Sequence, residues 1–138
     1  MQNDESAPRR LRLLRVSHRL SHVLAEELRD SNLSLAQFDV LAHIGAAAGI
    51  SQQALADGLF VTKGNVCQIL DRMEASGLIM RRKAGRTNQL FLTETGRSLY
   101  NQVVPSHEAR IVDQFAALPD GEVRHLHNLL RRLDQALP

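Results

Sequence analysis

The sequence predicts a mainly α-helical protein with one small β-hairpin, and three observations carry that reading. Leucine and valine recur at three-and-four spacing near both ends, the period of an amphipathic helix. Serine or threonine stands ahead of the shorter periodic segments, where helix N-caps belong. Only the region 78–93 breaks into two short β-prone runs around a glycine.

With 138 residues, 43% hydrophobic and 23% charged, the chain fits one folded domain with its own core. No apolar run approaches the roughly 20 residues of a membrane span. The opening MQNDESAPRR has neither the basic start nor the apolar stretch of a signal peptide. A single cysteine, Cys67, rules out an intrachain disulfide and a thiolate-rich zinc site. A cytoplasmic protein without membrane contact is therefore expected.

After a polar start through Pro8, Leu13, Val16, Leu20, Val23, Leu24 and Leu28 define a long helix over 9–30. Ser31-Asn32-Leu33-Ser34 breaks it, and Ser34 caps a second helix, 35–47, with Phe38, Leu41, Ala42 and Gly45 inward. Gly49 is expected to end that helix as a C′ glycine. Ser51 then caps a short helix, 52–58, burying Leu55 and Ala56, and Gly58-Leu59-Phe60-Val61 makes a turn. Thr62 caps the next helix, 62–75, which Gly77 closes. The runs 78–83 and 88–93 form a hairpin around Ala84-Gly85-Arg86-Thr87. Thr93 and Gly96 restart helix over 94–117, with Pro105 a kink or break. After the turn Leu118-Pro119-Asp120-Gly121, a last helix carries Val123, Leu126, Leu129, Leu130, Leu133 and Leu137.

Two short helices joined by a tight turn and followed by a hairpin make a winged helix-turn-helix. In that arrangement the second helix enters the major groove and the wing lies along the DNA backbone or in the adjacent minor groove. Charge agrees with this. Thr62 to Arg97 holds seven lysines and arginines against three carboxylates, whereas the whole chain carries only +2. At about 100° per residue, Val66, Ile69, Leu70 and Met73 share one face of the 62–75 helix, while Gly64, Asn65, Gln68, Asp71 and Arg72 point broadly the other way. Asn65 and Gln68 can pair bidentately with adenine, Thr62 and Lys63 can hold phosphate, and Gly64 leaves room for close approach. In the wing, Arg81, Arg82, Lys83 and Arg86 can reach phosphates or a narrow minor groove. The expected DNA-binding residues are Ser51, Gln52, Thr62, Lys63, Asn65, Gln68, Arg72, Arg82 and Arg86.

The order of a long helix, LAQFDVLAHI, SQQALADGL, TKGNVCQILDRMEASGLIMRR and LFLTETG resembles the MarR family of winged-helix regulators, over most of the chain. The resemblance implies a homodimer held by the first helix and the last two, binding palindromic double-stranded DNA in the cytoplasm. It places Thr62, Lys63, Asn65 and Gln68 in the groove and Arg86 at the wing arginine. The chain departs from the family in the wing: Ala84 stands where members often carry an acidic residue, and the hairpin is shorter than the common form.

Dimerisation also follows from the leucine stripes of the first and last helices, which are too rich for a small winged-helix core and need a partner surface. The expected organisation is one unit, 1–138, with a DNA-binding lobe at 34–97 and dimerisation helices at 9–30 and 98–137. No catalytic set stands out, so an enzyme is not expected, and neither is a cofactor. His18 and His22 share a helix face, but a third ligand would have to come from His43, His107 or Glu108, and no metal site is expected. Cys67 is read as a small packing residue rather than a redox switch. Arg15, His18, His22 and His43 are the candidate residues for an anionic or aromatic effector in the family's inter-lobe cleft. The expected function is a transcriptional regulator, a repressor released by a small molecule. The alternative is a protein-interaction module that keeps the fold without sequence-specific DNA binding.

Overall fold

The computed structural model describes residues 9–59 and 65–138. Its order is α1 (Arg9–Glu27), a 3₁₀ turn (Arg29–Ser31), α2 (Leu35–Ala46), β1 (Ile50–Ser51), α3 (Gln52–Gly58), α4 (Val66–Ala75), β2 (Ile79–Ala84), β3 (Thr87–Leu92), α5 (Glu94–Gln114) and α6 (Asp120–Ala136). The winged helix-turn-helix is α2 to β3, with α1, α5 and α6 beside it.

The chain leaves α1 earlier than periodicity predicts. Asn32 takes a left-handed conformation (φ 56°), which asparagine tolerates, and the turn buries Leu28 and Leu33. Ser34 then starts α2 with a full capping box: its hydroxyl accepts from the Gln37 amide, while the Gln37 side chain accepts from the Ser34 amide. The inward face of α2 is Phe38, Val40, Leu41 and Ile44, joined by the Asp39 side chain. Ala42 and Gly45 are only half-buried, so the expected stripe is rotated.

Gly49 is not the C′ residue of α2. Ala47 is the cap, and Gly49 (φ 86°) lies beyond it, donating its amide to Leu90 O at 2.9 Å. Its conformation swings the chain into β1, a two-residue strand that period-2 reading does not detect. The sheet order is β1-β3-β2, all antiparallel, with Ile50 opposite Leu90 and Ile79 opposite Leu92.

The hairpin is tighter than expected. Pairing continues to Ala84 opposite Thr87, so only Gly85 and Arg86 form the turn, and Gly85 has φ 64°. A glycine first in a two-residue loop permits a turn whose twist matches the strands. α4 closes as Gly77 leads one to expect: Gly77 N donates to Glu74 O and Leu78 N to Met73 O, the paired bonds of a Schellman end. Described helix begins at Val66, and the expected first turn with Thr62, Lys63 and Gly64 lies outside the described residues, as do Phe60 and Val61.

Thr93 ties three elements together. Its hydroxyl caps α5 by accepting from Gly96 N at 3.0 Å and also donates to Gly77 O, and its amide donates to Leu78 O. A side chain at Gly96 would run into the Leu78 carbonyl, so the corner between β2 and α5 requires glycine. α5 continues through Pro105 rather than breaking, with Val103, Val104 and His107 buried around it, and ends at Gln114. The core joins α2, α3, α4, the sheet and α5 through residues such as Leu41, Leu55, Leu70, Met73, Leu90 and Val104. α6 buries no residue against the rest of the chain.

Candidate nucleic-acid interface

Val66, Leu70 and Met73 anchor α4 in the core, which turns Asn65, Gln68 and Arg72 out to solvent. Gln68 and Arg72 are one helical turn apart and share a face. The capping of α3 by Ser51 (Oγ to Ala54 N, 3.1 Å) sets that helix against the start of α4. Its hydroxyl accepts this bond and keeps its proton for another acceptor.

A groove of about 390 Å³ runs between α3, the N-terminal end of α4 and the wing tip. It brings Ser51, Gln52 and Arg86 together, with Cys67 and Asn88 between them. Gln52 Nε2 donates to Cys67 Sγ at 3.2 Å, so the exposed thiol helps orient a candidate DNA contact. Sequence reading treated these two residues separately; their separation of fifteen positions carries no signal without the fold.

The wing cations divide into two groups. Alternation along β2 sends Arg81 toward α4, where it bonds Asp71 and lies 3.9 Å from Glu74, its side chain only 20% exposed. Arg82, on the opposite face, is exposed with its guanidinium 5.1 Å from the centre of the Phe91 ring. Lys83 and Arg86 are exposed toward the tip. Arg81 thus links wing to helix, while Arg82 and Arg86 stay presented outward. Thr62 and Lys63 lie outside the described residues.

The effector candidates do not converge. Arg15, His18 and His22 are exposed on α1, whereas His43, on α2, places Nδ1 2.8 Å from Asp39 O and 3.2 Å from Asp39 Oδ1. A cavity of about 450 Å³ between α1, α2 and α5 is lined instead by Ser17, Ser21, Leu24, Leu35, Phe38, Asp39, His107 and Ile111. His107 is 4% exposed, its ring centre 4.1 Å from that of Phe38 and its Nδ1 without a hydrogen-bond partner. Burial lowers its pKa, against the opposing pull of the Glu27 and Glu108 carboxylates. The spacing Val104, His107 marks the inward face of α5, with Ile111 one turn further on at the edge of the cavity. Among the described residues no group of three histidine, cysteine or carboxylate side chains is placed to hold a metal, and no helix is long and apolar enough to cross a membrane.

An outward helix after a capped turn, a short sheet and a basic wing define a winged helix-turn-helix DNA-binding protein of the transcription-regulating class. The chain belongs to the MarR family: residues 31–87 match the family model, and a Bacillus cereus HTH-type transcriptional regulator is 33% identical over 124 residues, covering 89% of this chain and 84% of that one. The fold is that of the Staphylococcus aureus MepR–DNA complex, with a TM-score of 0.83, 20% identity, and coverage of 93% of this chain and 97% of that one. It is also that of Bordetella bronchiseptica BpsR, whose DNA binding is regulated by 6-hydroxynicotinic acid (TM-score 0.81, 24% identity, 96% and 98% coverage).

Proposed function

We propose that the chain acts as a homodimer that binds an inverted-repeat operator in double-stranded DNA, represses from it, and is released when a small molecule occupies the cavity between α1, α2 and α5. The observation that carries this reading is the exposure of Asn65, Gln68 and Arg72 along α4 and of Arg82 and Arg86 on the wing, beside a groove lined by Ser51, Gln52 and Arg86. In this reading Asn65 and Gln68, with Thr62 and Lys63, reach base edges and nearby phosphates. Ser51, Gln52, Arg72 and Arg82 hold the backbone, and Arg86 enters the minor groove. Effector release follows from linkage: a ligand that favours one separation of the two recognition helices weakens DNA by the factor by which DNA weakens it. The ligand-regulated DNA binding of BpsR supports this half of the proposal.

A gel shift on the DNA upstream of the protein's own gene, repeated over a salt series, tests the reading. A specific complex that weakens steeply with salt is expected. Gln68→Ala combined with Arg86→Ala should lower affinity at least tenfold, as each lost base contact is worth about 1–3 kcal/mol. Absence of any specific complex at low salt overturns the proposal in favour of a protein-interaction module.

A further inference from the structure

Resting on the reading of Arg82 as a contact to the DNA backbone, we infer that Phe91 is a positioning residue for DNA binding: its ring holds the Arg82 guanidinium where it can meet a phosphate. The two residues sit on neighbouring strands of the wing. Gln89 lies directly opposite Arg82, and Phe91, two residues further along β3, shares the same face of the sheet. That diagonal separation is within reach of a long side chain, and the guanidinium carbon stands 5.1 Å from the ring centre. The ring is itself held. Phe91 is half-buried, with Met80 directly opposite it. A Cβ added at Gly49 would come within 3.6 Å of the ring, which therefore lies over the bare backbone of the corner that leads into β1. Arg82 is exposed, yet it is backed by a ring that packs on another element.

What this contact leaves free decides its use. An aromatic ring attracts the cation through its quadrupole and neutralises no charge, so the guanidinium keeps its charge and N–H donors for a phosphate. The neighbouring Arg81 shows the alternative: Asp71 and Glu74 pair with it and hold it on α4. Among the described residues no carboxylate pairs with Arg82. Ordering a long side chain at the moment of binding costs affinity, and a side chain ordered beforehand escapes much of that cost.

The test measures binding of the full-length protein to the DNA upstream of its own gene and to a random-sequence duplex, since a backbone contact forms on either. Arg82→Ala should weaken both and reduce the slope of log affinity against log salt by about 0.9, the share of one phosphate contact. Phe91→Leu, which keeps apolar bulk without the ring, should weaken both about two- to tenfold at unchanged slope, the effect of leaving one long side chain to be ordered on binding. Phe91→Tyr, which keeps the ring, should bind as the native sequence does. In the Arg82→Ala background Phe91→Leu should cost nothing further. That comparison separates lost positioning from a folding defect, because a defect would weaken binding in either background. In the free protein the side-chain NMR signals of Arg82, assigned by their loss in Arg82→Ala, should carry a ring-current shift that Phe91→Leu abolishes. Equal losses from Phe91→Leu in the two backgrounds, or the absence of that shift, overturn the positioning role and leave the Arg82 contact standing. Native affinity and native slope in Arg82→Ala overturn the contact, and the proposal with it.

Discussion

Arg81 shows how the fold redistributes cations that look equivalent in sequence. Three consecutive basic residues, Arg81, Arg82 and Lys83, read as one patch, yet strand alternation places only Arg81 against Asp71 and Glu74 on α4. Arg81→Ala should therefore lower the melting temperature and weaken DNA by loosening the wing. It should leave the slope of log affinity against log salt unchanged. Arg86→Ala should do the reverse, reducing that slope because one cation is lost from the minor groove while stability is spared. Matching slopes for the two variants, read from binding titrations at several salt concentrations, would contradict the division. His107 permits a second prediction at this scale. Burial holds its folded pKa below the ordinary 6.5, so as pH falls through that value the unfolded chain takes the proton first. Stability should decline from there until the folded imidazole itself titrates. Urea midpoints across this range should fall more for the native sequence than for His107→Phe, and parallel curves would count against the assignment. The Glu27 carboxylate on α1 and the Glu108 carboxylate on α5 oppose the effect of burial and narrow the window.

Among the elements, those with caps were the most legible in the sequence. Ser34, Ser51, Thr93 and Gly77 each mark a boundary that the structure reproduces through a specific hydrogen bond. Such bonds are local, so the residues that make them are readable without the fold. What escaped depended on distant partners: β1 exists because Gly49 and Ile50 meet Leu90, and α5 survives Pro105 because Val103, Val104 and His107 are held by packing. The candidate interface divides in the same way. The outward face of α4 followed from helical period, whereas the pairing of Gln52 with Cys67 and the diversion of Arg81 needed tertiary contacts. Ser51 lies on both sides of this line, as a cap and as a candidate phosphate contact. Ser51→Ala should cost about 1 kcal/mol of folding stability in chemical denaturation, and Ser51→Asp should restore the cap. If Ser51 also donates to phosphate, Ser51→Asp should recover stability without recovering DNA affinity, because aspartate adds a repelling charge.

At the scale of the whole molecule, the unresolved balance lies in α1 and α6. Leu129, Leu130 and Leu133 on α6 and Leu137 at its C-cap, with Leu11, Leu13, Leu14 and Val16 on α1, are exposed large hydrophobics, while the core of the winged lobe is complete without them. A single chain gains nothing from that surface, and covering it with a second copy removes apolar area at roughly 25 cal/mol per Å². Such stripes on elements flanking a DNA-binding lobe fit a two-fold dimer, in which each helix meets its own symmetry mate or the other stripe. If the chain pairs as proposed, replacing Leu130 and Leu133 together by glutamate should convert that dimer to monomer in analytical ultracentrifugation. Circular dichroism should still report a helical protein, since neither residue belongs to the core. The same variant should lose most of its operator affinity, because each half-site then binds alone. Operator geometry supplies the independent check. In the proposed dimer, two recognition helices about one DNA turn apart would demand a fixed half-site spacing. Inserting roughly half a helical turn, about 5 base pairs, between the half-sites rotates one onto the opposite face of the duplex. Binding of the unmodified protein should then fall to the level of a single half-site. Affinity that ignores the insertion would mean that the chains read DNA independently, and the exposed stripes would need a different partner.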